Sequence, residues 1–484
     1  MMNHLLSGAA ALGLLAVASC SAPAPEETAA DPGFVRGDRS TAVDAVFEAY
    51  TDETPGCAVA VDRGGQIVHL AGYGMADLEQ SVPIGPDSVF YAGSVSKQVV
   101  GMAAMLLAHD GLIDLDAAVS EYLPNLPAYA DRITVRQVLH HTSGLRDFFV
   151  LFYLAGEPDN YVITEDAIMA MLERQNGLNF DPGEKYAYSN SAYFLISQIA
   201  KAVTGADLDV FAQERIFGPL GMTASRFQHN HRRLVMGKAH GYQPLDDGTY
   251  LLADSTLDVV GSGGMYTIVE DLIRWDRNFY DNKLGGGQAL IDEMQTSGAL
   301  NSGEKTDYGV ALSLKPYRGL RRVSHAGALV GYRSHLARFP DEEFSVALLC
   351  NSSEAKPGAY ADAIADIYLA DRLGPVEEDA AEDDADTGAG GYEPAALADY
   401  AGRYVSQEVG NEVTISARAG ALEVEGWDAH DPTLKAESED VFSHGGRYFR
   451  LNFYRNDAGE VAGFTANAAR ASGIVFEKAD GASG

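Results

Sequence analysis

Apolar and polar positions follow three rhythms along this chain. Near the start, "CAVAVDRGGQIVHLAGYG" alternates with a period of two and predicts two strands, Cys57 to Val61 and Gln66 to Leu70, joined by an Asp62-Arg63-Gly64-Gly65 turn. From Val95 to about Phe217 the spacing becomes helical, and strand-like runs return at "YGVALSL", "SHLARFP" and "FSVALLC", the last being Phe344 to Cys350. Sheet-forming ends that bracket a helical middle predict an α/β sheet domain with an all-helical subdomain and a cleft between them. From about Ala396 the third rhythm begins, with "NEVTISA", "ALEVEGW", "RYFRLNFY" and "GIVFEK" as short alternating strands. It predicts a separate all-β module, a small barrel or sandwich, over 396–484.

What separates the two is charge. "EEDAAEDDAD", Glu377 to Asp386, carries seven carboxylates and reads as a self-repelling acidic linker within 374–395. At the other end, Leu5 to Ala18 is apolar but too short to span a bilayer, and small residues follow it, as in a secretory signal over 1–20. Its ending, Val17-Ala18-Ser19-Cys20, resembles a bacterial lipobox, in which Cys20 is the lipidated residue. An ordinary signal with an incidental cysteine is the other reading. No Lys or Arg precedes the apolar run, only His4. Residues 21–40, rich in Ala, Pro and Glu, then form a tether, and 41–373 the first globular domain. The expected location is periplasmic, anchored to a bacterial membrane through Cys20 alone.

Composition narrows the partners. A chain of 484 residues needs more than one domain, and 46% hydrophobic with 21% charged residues is an ordinary soluble balance. The formal net charge of −34 argues against nucleic acid or an anionic membrane surface as a partner. Cys57 and Cys350 both lie in strand-like apolar runs, where a thiol behaves as a small hydrophobe, and two buried free thiols are expected; a disulfide is possible in an oxidising compartment, though spacing does not show one.

The helical region opens on "GSVSKQVVGMAAMLLAHDG", Gly93 to Gly111. Ser94 and Lys97 are one turn apart, so their side chains share a face at the helix N-terminus. Burial of the ammonium would lower its pKa, and a neutral amine can take the proton of a serine hydroxyl. The plainer alternative is a helix cap beside a snorkelling lysine. Other stretches bear on the choice. "EKYAYSNSAYFLISQIA" holds Tyr188-Ser189-Asn190 just before an apolar helix, "VSHAGALVGYRSHLARFP" holds His325-Ala326-Gly327 at a strand beginning, and "ITVRQVLHHTSGL" ends a helix in a Ser-Gly turn.

Together with S-x-x-K, these motifs resemble the serine β-lactamase and penicillin-binding protein superfamily, in particular its class C β-lactamase-like branch of esterases, D-aminopeptidases and DD-peptidases. "GSGGMYTIVEDLIRW", Gly261 to Trp275, is similar to that branch too, and the resemblance covers roughly Ala42 to Leu373. It implies a β-lactamase/transpeptidase-like α/β fold with no cofactor, acting on a small-molecule or short peptide substrate. It further implies that Ser94 forms an acyl-enzyme, Lys97 helps to deprotonate it, and Tyr188 acts with the lysine and then protonates the leaving group. Asn190 matches a residue that bonds substrate amide and lysine, and the oxyanion hole would be the backbone N–H groups of Ser94 and of Ala328, which follows Gly327. A phenol in that role would need its pKa depressed, which Lys97 could do.

Position 325 departs from true β-lactamases, which usually carry lysine there. A histidine weakens the demand for a substrate carboxylate, favours esterase or D-aminopeptidase-like activity, and should add its own ionisation to the pH profile. Two other readings stay open. One is a DD-carboxypeptidase or β-lactamase acting on cell-wall peptides, the other a non-hydrolytic ligand-binding lipoprotein. His140-His141 and "HNHRR", His229 to Arg233, lack the carboxylate or further ligand spacing of a metal site. The C-terminal module resembles the lipocalin-like β domains that follow some D-aminopeptidase and esterase relatives. Oligomeric state is left open.

Overall fold

A computed structural model of the chain describes residues 34–158, 160–376, 396–418, 420–427, 431–444, 449–468 and 470–479. Cys20, the expected signal peptide and almost all of the expected acidic linker lie outside the described residues. The first helix is α1, Ser40–Val46, followed by the strands β1, Cys57–Arg63, and β2, Gln66–Tyr73. Between these strands only Gly64 and Gly65 turn the chain, both at positive φ (59° and 77°), so the strands run further than the sequence pattern suggests. Three more strands, β3 Val323–Leu329, β4 Tyr332–Phe339 and β5 Phe344–Cys350, complete an antiparallel sheet in the order β2-β1-β5-β4-β3, with the two-residue strand Val35–Arg36 at the β2 edge. The sheet and α1 therefore reach back into the expected tether.

Alternation explains why both faces of this sheet are dry. Val59, Val61, Val346 and Leu348 pack under α1 and a C-terminal helix, while Ala58, Ala60, Ala347 and Leu349 face the helical subdomain. Small residues on that second face let the helix Val269–Arg277 pack on β1 and β5, while α2, Lys97–His109, and α3, Asn190–Thr204, pack on each other; α2 is buried from Lys97 to Leu107. That helix, α4, and a fifth, α5 Pro357–Tyr368, complete the elements that frame the site. "YGVALSL" forms no regular strand. Ala311 takes a φ of 57°, and the segment is tied only by isolated bridges such as Ser313 to Ser324.

The expectation of two free thiols is overturned. Cys57 and Cys350 are directly opposed residues of β1 and β5, their Cα atoms 4.0 Å apart, and they form a disulfide. Strand register, which 293 residues of separation conceal, is what brings them together.

The C-terminal module is a closed barrel of eight strands, β6 Gly402–Ser406, β7 Asn411–Arg418, β8 Ala421–Glu425, β9 Thr433–Ser438, β10 Val441–His444, β11 Phe449–Arg455, β12 Val461–Ala468 and β13 Ala471–Lys478. Tyr404, Phe453, Phe464 and Phe476 fill its interior, with the Phe464 and Phe476 rings stacked 4.9 Å apart. It docks on the helical subdomain through polar groups. Arg146 forms a buried ion pair with Glu408 and donates to the carbonyl of Ser472 (3.1 Å); Asn179 donates to the Arg470 carbonyl (3.0 Å), and Trp427 Nε1 to the Leu154 carbonyl (3.1 Å). The hairpin between β12 and β13 thereby reaches the cleft.

Candidate active site

Ser94 sits in a single 3-10 turn, Gly93–Ser96, that runs directly into α2, and its side chain opens into a cavity of about 1440 Å³ between sheet and helical subdomain. The turn lies against β3 because two glycines permit it. Gly93 has a φ of 52°, and a Cβ there would meet the Ala328 backbone N at 2.9 Å; a Cβ on Gly327 would meet Ser94 N at 3.0 Å and the Ala92 carbonyl at 2.3 Å. The amides of Ser94 and Ala328 are thus brought to the same place beside the Ser94 hydroxyl.

Lys97, one turn on, is completely buried. Its Nζ has three neighbours: Ser94 Oγ at 3.0 Å, Asn190 Oδ1 at 2.9 Å and the Ser262 carbonyl at 2.5 Å. Burial lowers its pKa to about 7, Asp147 opposing and Arg470 assisting that shift. The neutral amine fits these neighbours atom for atom. Its two hydrogens go to the two oxygens that can only accept, and its lone pair is left for the Ser94 hydroxyl hydrogen.

The orientation of Asn190 is fixed from behind. Asp147 Oδ2 accepts from both the backbone N–H and the side-chain Nδ2 of Asn190, each at 2.8 Å, so the amide oxygen must face Lys97. Asp147 is fully buried, and Arg470 from the barrel hairpin stands with Nη1 3.5 Å from the same oxygen. Ser262 is held by "GSGG", where Gly261 and Gly264 take φ values of 123° and 92° and Gly263 passes so close to Tyr91 that a Cβ would fall 2.4 Å from its hydroxyl. That turn aims the Ser262 carbonyl at the lysine.

Tyr188 lies over the amine, Lys97 Nζ standing 5.0 Å from its ring centroid. Its hydroxyl is buried next to Ser94 and completes no well-formed hydrogen bond among the described residues. The expected depression of its pKa is not what the surroundings produce. Burial pushes the phenol well above its ordinary value, the nearby Ser94 hydroxyl offsetting this only in part, so Tyr188 keeps its proton. His141, from the "HHTSGL" motif, packs against the Tyr188 ring at 4.3 Å and accepts the Ser189 N–H through Nδ1 (3.2 Å). It is fully buried with a φ of 57°, and burial holds it neutral.

His325 is also committed. Its Nδ1 lies 2.7 Å from the Ala326 carbonyl, which only accepts, so Nδ1 carries the hydrogen and Nε2 accepts from the Tyr308 hydroxyl at 2.9 Å. Burial, with Lys97 adding to it, lowers its pKa to about 3. The ionisation expected of this residue therefore falls far below neutral pH, and the ring is a fixed dipole on the cavity wall.

Every candidate from Ser94 to Ala328 lines one cavity except Lys97, which is buried behind it and touches Ser94; Cys20 is outside the described residues. Sequence reasoning missed Asp147, Tyr308 and Arg470. Asp147 had a signal, lying three residues after the Ser-Gly turn, but its partners come from the distant positions 190 and 470. Charged side chains of both signs rim the cavity, Lys185, Lys305, Lys315, Arg333 and Arg470 against Glu184, Glu304 and Asp307.

Comparison with known proteins places the chain beside these relatives. A D-aminopeptidase of Gluconobacter oxydans is 29% identical over 311 residues, 64% of this chain and 58% of that protein. Penicillin-binding protein 4* of Bacillus subtilis is 30% identical over 313 residues, 61% of this chain and 68% of that protein. The chain thus aligns with about three fifths to two thirds of these relatives. Among solved structures, the octameric penicillin-binding protein homologue from Pyrococcus abyssi matches with a TM-score of 0.61 at 21% identity, covering 91% of this chain and 100% of that one, a likeness of fold. The family described as Beta-lactamase matches residues 43–370, and the chain belongs to it.

Proposed function

We propose that the protein is a serine hydrolase that forms an acyl-enzyme on Ser94 and cleaves an amide or ester, with D-aminopeptidase-like activity as the favoured specificity. The arrangement around Lys97 Nζ carries this reading. Two acceptors and one hydroxyl leave a neutral amine only one thing to do with its lone pair. In the acylation step the Ser94 proton passes to Nζ as Oγ bonds the substrate carbonyl carbon. The oxyanion is held by the Ser94 and Ala328 N–H groups at the N-terminus of the α2 turn. Collapse expels the leaving group, which takes the Tyr188 proton; the phenolate recovers one from the Lys97 ammonium, and water repeats the sequence to release the acid. A phenol held above its ordinary pKa suits this role, because it is always charged with a proton at working pH. No step needs a metal or cofactor.

Relatives named D-aminopeptidase support the amide specificity, and His325 in place of a lysine fits it. The disulfide fits the proposal that the protein is exported to the periplasm, where Cys20 would anchor it. Intact-protein mass after exposure to a fluorophosphonate, wild type beside Ser94→Ala, tests the nucleophile. A single adduct lost in Ser94→Ala is expected; absence of an adduct in folded wild-type protein would move the reading to a ligand-binding lipoprotein. A second exposure, to a penicillin, separates the branches. A stable or slowly released penicillin adduct would replace the aminopeptidase reading by a cell-wall DD-carboxypeptidase or β-lactamase one.

A further inference from the structure

The His140-His141 pair has no part in the steps proposed above, yet His141 is packed between the two phenols of the site, its ring 4.3 Å from that of Tyr188 and 5.0 Å from that of Tyr308. The pair follows the short helix Val135–Leu139, and His141 takes a φ of 57°, a conformation unfavourable for a residue with a Cβ. Backbone of this kind persists only where its surroundings over-determine it. Here they do. The Tyr193 hydroxyl on α3 donates to the Leu139 carbonyl at 2.7 Å, His141 N–H donates to the Val138 carbonyl at 3.3 Å, and Gly183 N–H donates to the Thr142 carbonyl at 2.7 Å.

That turn aims the carbonyl and the ring of His141 at one segment. The carbonyl accepts the Ala187 N–H at 2.9 Å and ring Nδ1 accepts the Ser189 N–H at 3.2 Å, so the amides on both sides of Tyr188 end on the same residue. Nδ1 accepts, so the hydrogen is on Nε2, which has no hydrogen-bond partner among the described residues; burial keeps the ring neutral. His140 turns the other way, with its Nδ1 3.3 Å from the Tyr308 carbonyl. Residues 184–189 belong to no helix or strand, and the Tyr188 hydroxyl completes no well-formed hydrogen bond among the described residues. The aim of the phenol therefore depends on what fixes its backbone and its ring, and His141 does both.

We propose that His141 is the positioning residue of the general acid, a clamp that holds the Tyr188 phenol over Lys97 and beside Ser94 and takes no proton itself. The proposal rests on the hydrolase reading, in which Tyr188 protonates the leaving group. Its consequence is selective, since only a leaving group that must be protonated depends on where the phenol stands. Two substrates of the full chain expose this. D-Alanine p-nitroanilide releases an aniline that needs a proton, whereas D-alanine p-nitrophenyl ester releases a phenolate that does not.

His141→Asn accepts the same φ and keeps an acceptor for the Ser189 N–H, but removes the ring. It should lower kcat on the anilide by about tenfold to a hundredfold, with KM, ester turnover and fluorophosphonate labelling of Ser94 within about threefold. In a Tyr188→Phe background the same substitution should change anilide turnover by about twofold or less. Equal losses on anilide and ester, an unchanged anilide rate, or a full loss added on top of Tyr188→Phe would overturn the clamp. Should His141→Asn fail to fold, His141→Gly, for which that φ is free, decides by the same ratios. A readout without substrate is the fluorine resonance of 3-fluorotyrosine placed at position 188, which either substitution should displace; an unmoved resonance overturns the clamp. Wild type that is labelled but inactive on the anilide would refute the amide specificity alone, and the resonance then decides the clamp. Unlabelled wild type would refute the hydrolase reading and with it the role of Tyr188.

Discussion

For a fully buried lysine to take the Ser94 proton as proposed, its charge must be removed, and the surroundings of Lys97 favour that chiefly by exclusion of water. The consequence is a pH dependence whose sign is fixed. Below about 7 the amine is protonated and its lone pair is gone, so the rate of Ser94 acylation should rise as pH increases through about 7 and then level. The unfolded chain keeps that proton up to the ordinary value of 10.5, so between these two values stability should also rise with pH. Fluorophosphonate labelling rates between about pH 5 and 9 check the first, and a limb absent near 7 would refute it. His325→Asn should leave that limb in place, because its own proton is lost near 3. Tyr188→Phe should slow cleavage of an amide by about a hundredfold and of an activated ester much less, since only the amide leaving group needs a proton. The pairing of Ser94 with Lys97, and the lowered pKa of a buried amine, were legible in the S-x-x-K spacing, and Tyr188 and Asn190 came from the family resemblance; the protonation of Tyr188 and His325 was not legible, because their burial belongs to the packed state.

Between elements, the site depends on how closely the Ser94 turn approaches β3, and two glycines set that distance. Gly327→Ala should reduce acylation by 10²-fold or more while leaving a folded protein, since the added methyl would overlap Ser334 Oγ and the Ala92 carbonyl and push the strand from Ser94 N. Labelling kinetics with an unchanged melting profile would meet that expectation; an unchanged labelling rate would contradict it. Strand periods revealed β5 to the residue and the places of β1, β2 and β4 to within two or three, while α3 was recognised as an apolar helix without its bounds. "YGVALSL" misled because its alternation is strand-like, while Ala311 at positive φ breaks it and Tyr308 is spent on His325. The disulfide was hidden for a related reason. Periodicity gives a strand but not its neighbour, and only the β1-β5 register opposes Cys57 and Cys350. Cys57→Ala/Cys350→Ala together should lower the melting temperature, as should reduction, since the bond closes a loop of almost 300 residues.

For the whole molecule, the sequence predicts a separate all-β module over 396–484, whereas the docked structure makes the barrel part of the same packed unit as the candidate site. Its hairpin supplies Arg470 to Asp147, which orients Asn190, which accepts from Lys97. Its Glu408 neutralises Arg146, both side chains being 5% exposed. Removing residues 396–484 would leave Arg146 and Asp147 without these partners on an uncovered face, so the expected result is loss of soluble, labelled protein rather than altered specificity. A cleaner probe keeps the barrel and removes one charge. Glu408→Ala leaves Arg146 buried with only Gln175 and carbonyls as partners, which should cost about 3–5 kcal/mol. Replacing both, as Arg146→Met with Glu408→Ala, removes the stranded charge and should recover a good part of that loss in the same denaturation measurement. If the double variant is no more stable than Glu408→Ala, the buried pair does not hold the two domains together. The barrel would then owe its place to Trp427 and to the hairpin contacts at Arg470 and Ser472.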